Sequence, residues 1–274
     1  MTISVIIPAC DAEATIERAL ASLFRQTDGD WEAIIVADDR RDYAAFLSAK
    51  GVSDARLKFT STGLIRSGCH HARNVGFDFI SGAYVTQLDA DDEISADRFA
   101  TLKPLAERYG AAADSLLMLD EETGAELGTV MGKTATLAMI DLAAFMNLNA
   151  PLVPLIRRDH VMKRAPGIEF SEDVVANIQL IDRIGKLPVT AASSYFYRIH
   201  SRSMANTSGA SERFERGYSE YIARLETGDG FGLKAANRRI AADGLIAKRD
   251  LNRAFMDAQR TEPGLTFQAF VGRM

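Results

Sequence analysis

The first hundred residues alternate short β-branched apolar runs with stripes of helical period. Ile3-Ser4-Val5-Ile6-Ile7 is such a run, stopped by Pro8, and its uninterrupted apolar character marks a strand buried on both faces. Ile16, Ala19, Leu20, Leu23 and Phe24 then fall on one helical face, with Asp11 as a candidate N-cap. Trp31–Val36 is a second buried strand and Arg56–Thr60 a third. Ala72, Val75, Gly76 and Phe79 mark another helix, Ala83–Leu88 another strand, and Phe99, Leu102, Ala106 and Tyr109 the helix after it. This rhythm requires an α/β fold with a mainly parallel sheet flanked by helices. Such sheets bind ligands beyond the carboxyl ends of their strands. Two acidic clusters, Asp38-Asp39 and Asp89–Asp92, stand at those ends.

The rest of the chain is less regular. Asp114–Leu119, Leu152–Ile156 and Tyr195–Ile199 read as strands, Asp141–Asn147 as a short helix, and Val174, Ile178 and Ile181 as a helix after Ser171-Glu172-Asp173. Two amphipathic helices follow, over Arg213–Leu225 and Ala235–Ala258, broken at Gly228-Asp229-Gly230. The expected organisation is residues 1–206 as a catalytic domain, with a nucleotide-binding half (1–92) and an acceptor half (93–206), and 207–274 as a helical extension. The stripes of that extension must be buried somewhere. The catalytic domain, a second copy and a membrane surface are the three possibilities.

Composition excludes several classes. A net charge of −5 offers no basic field for nucleic acid. Cys10 and Cys69 are too few for a disulfide framework. No window approaches the ~20 apolar residues of a membrane span, and Ile3–Ile7 is too short for a signal-peptide core. The expectation is a soluble, cytoplasmic protein, with peripheral contact at the inner face of the membrane left open.

Asp89, Asp91 and Asp92 place three carboxylates within four residues. They repel one another unless a cation neutralises them, and hard oxygen ligands suit Mg²⁺ or Mn²⁺ bridging to phosphates. The plainer reading is an acidic turn with Asp92 or Ser95 capping the next helix. Asp38-Asp39 suits hydrogen bonding to a base or ribose, or a simple Asx turn.

In their order along the chain these pieces resemble the family 2 glycosyltransferases of GT-A fold. The matching segments are Ser4–Ala9, Ser22–Thr27, Trp31–Val36, Ala72-Arg73-Asn74-Val75-Gly76, Gly82–Val85, Leu88-Asp89-Ala90-Asp91-Asp92, Ser171-Glu172-Asp173-Val174 and Tyr197-Arg198-Ile199-His200. The resemblance implies transfer of a sugar from a nucleotide diphosphate-sugar to a carbohydrate or glycolipid acceptor, with inversion and with Mn²⁺ or Mg²⁺. It implies nucleotide contacts at Pro8, Ala9, Asp11, Asp38, Asp39, Arg73, Asp89 and Ala90, and metal contacts at Asp91, Asp92 and His200. Asp173 matches the catalytic base, with Glu172 as the neighbouring alternative.

Two departures touch the nucleoside pocket. Cys10-Asp11 stands where the family commonly has Tyr-Asn, and Ala37-Asp38-Asp39-Arg40 where it has Asp-Asp-Gly-Ser. Two other readings stay open: a nucleotidyltransferase, disfavoured because Ala9-Cys10-Asp11-Ala12 has neither glycine nor lysine, and a binding protein descended from a transferase.

Overall fold

The computed structural model describes residues 1–129, 137–149, 151–165, 168, 170–199, 209–271 and 273. Four strands, β1 (Ile3–Ala9), β2 (Trp31–Ala37), β3 (Leu57–Ser61) and β4 (Tyr84–Gln87), run parallel in the order β3-β2-β1-β4. Between them lie α1 (Ile16–Phe24), α2 (Tyr43–Ala49) and α3 (Cys69–Gly76). The period of two splits β1 between two cores. Ile3, Val5 and Ile7 join Leu20, Leu23 and Phe99 on one face, while Ile6 joins Ile34, Val36 and Ala72 on the other.

The sheet then turns mixed. β5 (Glu93–Ile94), α4 (Arg98–Tyr109), β6 (Ala111–Asp120), β7 (Glu126–Thr129), β8 (Leu137–Ile140), α5 (Leu142–Met146) and β9 (Leu155–Arg157) precede α6 (Glu172–Ile184) and β10 (Leu187–Ile199). The short β9 joins the halves, pairing antiparallel with β4 through Val85↔Ile156 and with β6 through Ala112↔Leu155. The expected parallel character therefore holds throughout β1 to β4, and the rest of the sheet is mixed. β10 is parallel to β6 but antiparallel to β5 and β8.

Close packing is decided by a few positions. Glu32 on β2 accepts from Ser4 Oγ at 2.6 Å, Ser81 N at 2.7 Å, Ser81 Oγ at 2.7 Å and Lys58 Nζ at 2.6 Å. At Gly82, any Cβ would stand 2.5 Å from the Thr2 carbonyl oxygen, so only glycine lets this turn meet the start of β1.

Asp11 does not cap α1. Its backbone is left-handed (φ 50°) and Thr15 occupies the cap position, because the Asp11 carboxylate is drawn to Arg66 and Arg41 instead. Neither Asp92 nor Ser95 caps α4; Asp97 holds that place, with β5 intervening. Phe24, at the end of the α1 stripe, is 39% exposed and leans on Trp31.

The C-terminal helices are α7 (Ala210–Thr227), α8 (Ala235–Thr261) and α9 (Phe267–Val271). Tyr221, Ile222 and Leu225 of α7 and Ala241 and Leu245 of α8 share one buried cluster with Phe145 and Met146 of α5 and Ile178 and Ile181 of α6. The apolar stripes are thus covered by the rest of the chain. Among the described residues no helix is long and apolar enough to cross a membrane.

Candidate active site

β1 and β2 end side by side, and Asp38 N donates to Ala9 O at 2.8 Å, extending the ladder by one step. Pro8 and Ala9 therefore form the edge of a rigid shelf. The Asp38 carboxylate, 4% exposed, accepts from Thr62 Oγ1 at 2.7 Å, from Ser67 Oγ and from Gly68 N at 3.0 Å. It was expected against a nucleotide base, but both oxygens fasten the 62–68 loop over the strand ends. Asp39 is equally engaged: it accepts from Asp11 N (2.8 Å), Arg41 N (3.0 Å) and Tyr43 Oη (2.9 Å). Burial would raise its pKa, yet these donors outweigh burial and hold it below the usual carboxylate range. Asp11 is half exposed beside Arg66 and Arg41. Arg40 and Arg66 share the left-handed backbone of Asp11 (φ 62° and 53°), so three strained non-glycine residues ring this shelf.

The second acidic cluster follows β4. Asp89 keeps 40% of its side chain exposed and pairs with Arg73 of α3 at 2.5 Å. Ala90 is buried, and Asp91 is half-buried with its carbonyl accepting from Arg18 at 2.7 Å. Asp92 is 1% exposed; it accepts from Tyr195 Oη at 2.8 Å and from Arg198 N at 2.8 Å. This departs from the expectation of Asp92 as a metal ligand, because both oxygens anchor the loop to β10. Burial, then the charges of Asp91 and Asp89, push its pKa well above the ordinary value.

Tyr195, which the sequence marked only as a strand residue, is the keystone of this loop. Its hydroxyl donates to Asp92 and accepts from Asp89 N at 3.1 Å. Arg198, in the last of the matching segments, spends its guanidinium on Glu93 (2.7 Å) and Glu121 (3.4 Å). The expected metal contact at His200 lies outside the described residues.

α6 begins at the far side of the cavity from a left-handed Ser171 (φ 53°). Glu172 is 3% exposed and clasped by Arg73 and by Arg164, the latter at 2.5 Å. It lines the cavity too, but as an alternative base it is held by these two guanidinium groups. Asp173 is only half-buried by comparison and lines the cavity. Burial raises its pKa, against the opposing pull of Arg73, the Val174 N–H and Arg164. A carboxylate in a desolvated cavity with a raised pKa has the properties of a general base.

The cavity holds about 650 Å³. Arg73, Asp89, Asp92 and Asp173 line it together, as do Tyr195 and Tyr197 of β10 and Tyr218 of α7. Asp38, Asp39 and Asp11 lie outside this wall, on the neighbouring shelf. Lys248 of α8 and Arg164, which also face the cavity, were missed in the sequence because no periodic or motif signal distinguishes them from surface charges.

Among the described residues, Cys10, Asp11 and Asp39 bring three ligand atoms within 4.8 Å of one another. The two carboxylates there are already covered by Arg66, Arg41 and backbone N–H groups, so this cluster has no charge left for a cation. The 89–92 loop fits a divalent ion better. Burial first, and then the charges of Asp91 and Asp89, push Asp92 toward its neutral form, and a divalent cation at Asp89 and Asp91 would relieve that charge.

The sequence pattern of the family described as Glycosyl transferase family 2 matches residues 4–125. The chain is 34% identical over 90 residues to the Escherichia coli UDP-Glc:alpha-D-GlcNAc-diphosphoundecaprenol beta-1,3-glucosyltransferase WfgD, covering 33% of this chain and 35% of that protein. It is 24% identical over 250 residues to the uncharacterized glycosyltransferase EpsJ of Bacillus subtilis, covering 85% of this chain and 72% of the relative. It is 30% identical over 122 residues to the Campylobacter jejuni GalNAc(5)-diNAcBac-PP-undecaprenol beta-1,3-glucosyltransferase, covering 44% and 39%. The chain thus aligns with little more than a third of the length of two of these relatives. Among solved structures, S. aureus TarS 1-349 in complex with UDP-GlcNAc superposes with a TM-score of 0.68 at 19% identity, covering 89% of this chain and 72% of that one. Over residues 4–125, the part that carries both acidic clusters, the chain is thus similar to the family 2 glycosyltransferases, and it shares the fold of TarS.

Proposed function

We propose that this chain transfers a sugar from a UDP-linked donor to a hydroxyl of a carbohydrate or glycolipid acceptor, with inversion, in the making of bacterial surface polysaccharide or glycolipid. The observation that carries this reading is Asp173. It is a half-buried carboxylate of raised pKa, sharing one cavity with Asp89 of the acidic loop. Two relatives are named for glucosyl transfer to diphosphoundecaprenol-linked sugars, and TarS has been crystallised with UDP-GlcNAc.

In this reading the acceptor hydroxyl, a poor nucleophile, gives its proton to Asp173 as it attacks the anomeric carbon. Attack opposite the leaving diphosphate inverts that centre, so an α-linked donor gives a β-linked product. Asp89 and Asp91 would hold Mn²⁺ or Mg²⁺, and the ion would supply Lewis-acid stabilisation of the departing diphosphate. Arg73 stands ready beside Asp89 to meet phosphate charge. Glu172, locked between Arg73 and Arg164, fixes the start of α6 and so the direction of Asp173.

The test is calorimetric titration of UDP with and without Mn²⁺, followed by a screen of UDP-, GDP- and TDP-sugars for nucleotide release. Metal-stimulated UDP binding that Asp91→Ala abolishes is the expected result. Binding indifferent to metal, or full transfer in EDTA, removes the metal from the mechanism. An α-linked product from an α-linked donor, seen by NMR, removes inversion.

A further inference from the structure

Arg98 of α4 and Asp114 of β6 form an ion pair shut away from water: they are 0% and 2% exposed, and Arg98 Nε donates to both carboxylate oxygens at 3.1 and 2.9 Å. Arg98 also donates to Thr86 Oγ1 of β4 at 3.4 Å and to the Val153 carbonyl, and its guanidinium lies 5.5 Å from the ring centre of Tyr195. Desolvating two charges consumes much of what their attraction returns, and apolar residues of similar volume often stabilise a core as well or better. What such a pair supplies is a fixed arrangement of the groups around it.

That arrangement includes a bulge in β10. The strand pairs with β6 as Val189↔Ala113 and Thr190↔Asp114, and resumes as Ser194↔Ser115. Ala191, Ala192 and Ser193 are extra, and an odd excess reverses the alternation of faces. Leu187 and Val189, before the bulge, join the core cluster of α6 and α8. Unbroken alternation would put Tyr195 on the same side. Past the bulge it lies instead with Phe99 and Leu116 in the other cluster, where its hydroxyl meets Asp92 and the Asp89 N–H. The bulge is fastened on both sides. Ser193 Oγ donates to Asp114 at 3.0 Å, while Ser194 N donates to Ser95 Oγ and Ser95 N to Ser194 O, each at 3.0 Å.

We propose that Arg98 and Asp114 are positioning residues: they hold the β10 bulge, which brings the Tyr195 hydroxyl and the Arg198 N–H to the 89–92 loop and so presents Asp89 and Asp91 to a divalent ion. Neither Arg98 nor Asp114 lines the cavity, so both act through Tyr195 and its strand. The ion belongs to the transferase reading, on which that part of the proposal rests; the placing of the loop does not depend on it.

The test uses the whole chain. Arg98→Met combined with Asp114→Leu removes both charges, so that neither is left buried alone. Ser193→Ala frees the bulge from Asp114 and keeps the pair, and Tyr195→Phe removes the hydroxyl. Each protein is titrated calorimetrically with Mn²⁺ at saturating UDP, and hydrogen exchange of the Asp89 amide is followed without metal. The double variant and Tyr195→Phe should each weaken Mn²⁺ binding by about 10-fold or more, the scale of one hydrogen bond to a charged group. Both should speed exchange at Asp89, and Ser193→Ala should move both readouts the same way. Adding Tyr195→Phe to the double variant should bring no further loss, because the pair acts through that hydroxyl. A folded double variant with a shifted melting temperature but unchanged Mn²⁺ affinity and Asp89 exchange overturns the proposal. So does a further loss from Tyr195→Phe as large as it causes alone. If the double variant does not fold, Ser193→Ala decides by the same two readouts. A wild type that binds neither UDP nor Mn²⁺ removes the transferase reading, and exchange at Asp89 then decides the positioning by itself.

Discussion

At the scale of single residues, two neighbours in sequence line one cavity with different partners. Glu172 is clasped by two arginines, while Asp173 has no salt bridge among the described residues. Asp173→Asn keeps shape and removes basicity, so transfer should fall by ~10²–10⁴-fold while UDP affinity changes little. Steady-state kinetics with a fixed acceptor measures both. The pH profile follows from the raised pKa of Asp173. Only the ionised carboxylate accepts a proton, so kcat/KM should decline as pH falls through a midpoint above the ordinary aspartate value of ~3.9. A midpoint at or below that value would place the base elsewhere. The motif itself was legible from its place at a strand end in the ordered set of matching segments, since an acidic turn alone would explain three carboxylates in four residues. What each of them does was not. Asp92 became an anchor and Asp89 an ion-pair partner only because Tyr195 and Arg73, distant in sequence, arrive beside them.

At the scale of elements, Glu32 ties three pieces of backbone together. It joins β2 to Ser4 of β1, to Lys58 of β3 and to the Ser81 turn before β4. Burial opposes its charge, but Lys58, Ser4 and Ser81 prevail and its pKa is pushed down to about 2. Because the folded pKa lies below the unfolded one of ~4.3, this contribution is complete above that value. It is lost as pH falls toward about 2. The contribution is on the order of 3 kcal/mol. Glu32→Gln should lower the melting temperature at neutral pH and flatten its fall in acid, read by thermal denaturation across pH. The strands of this half were legible since β1 and β2 are buried on both faces and carry unbroken apolar runs. Other elements were not. α2 buries only Tyr43 and Leu47 and shows no stripe, and β5 is a two-residue strand held by β10. β10 extends back to Leu187 because β8 and β6 pair with it, a long-range cause that local pattern cannot carry.

At the scale of the whole molecule, the C-terminal helices complete the second core rather than hang from it. Leu245 is fully buried among residues of α5, α6 and α7. Leu245→Ala should cost ~2–5 kcal/mol, the range for a large core side chain cut to alanine, and denaturant titration reads it. A loss below ~0.5 kcal/mol would mean that α8 is only loosely attached. The stripes of α7 and α8 were visible in the sequence; which surface they cover was not, since an apolar face names no partner. One further consequence concerns time. The cavity wall draws on residues from Cys69 to Val271. During synthesis the parallel strands β1 to β4 emerge first and can pair among themselves. The wall closes only when α9 has left the ribosome and docked on α8. A nascent chain therefore has the strand-end shelf of Pro8, Ala9 and Asp38 well before the cavity beside it is complete.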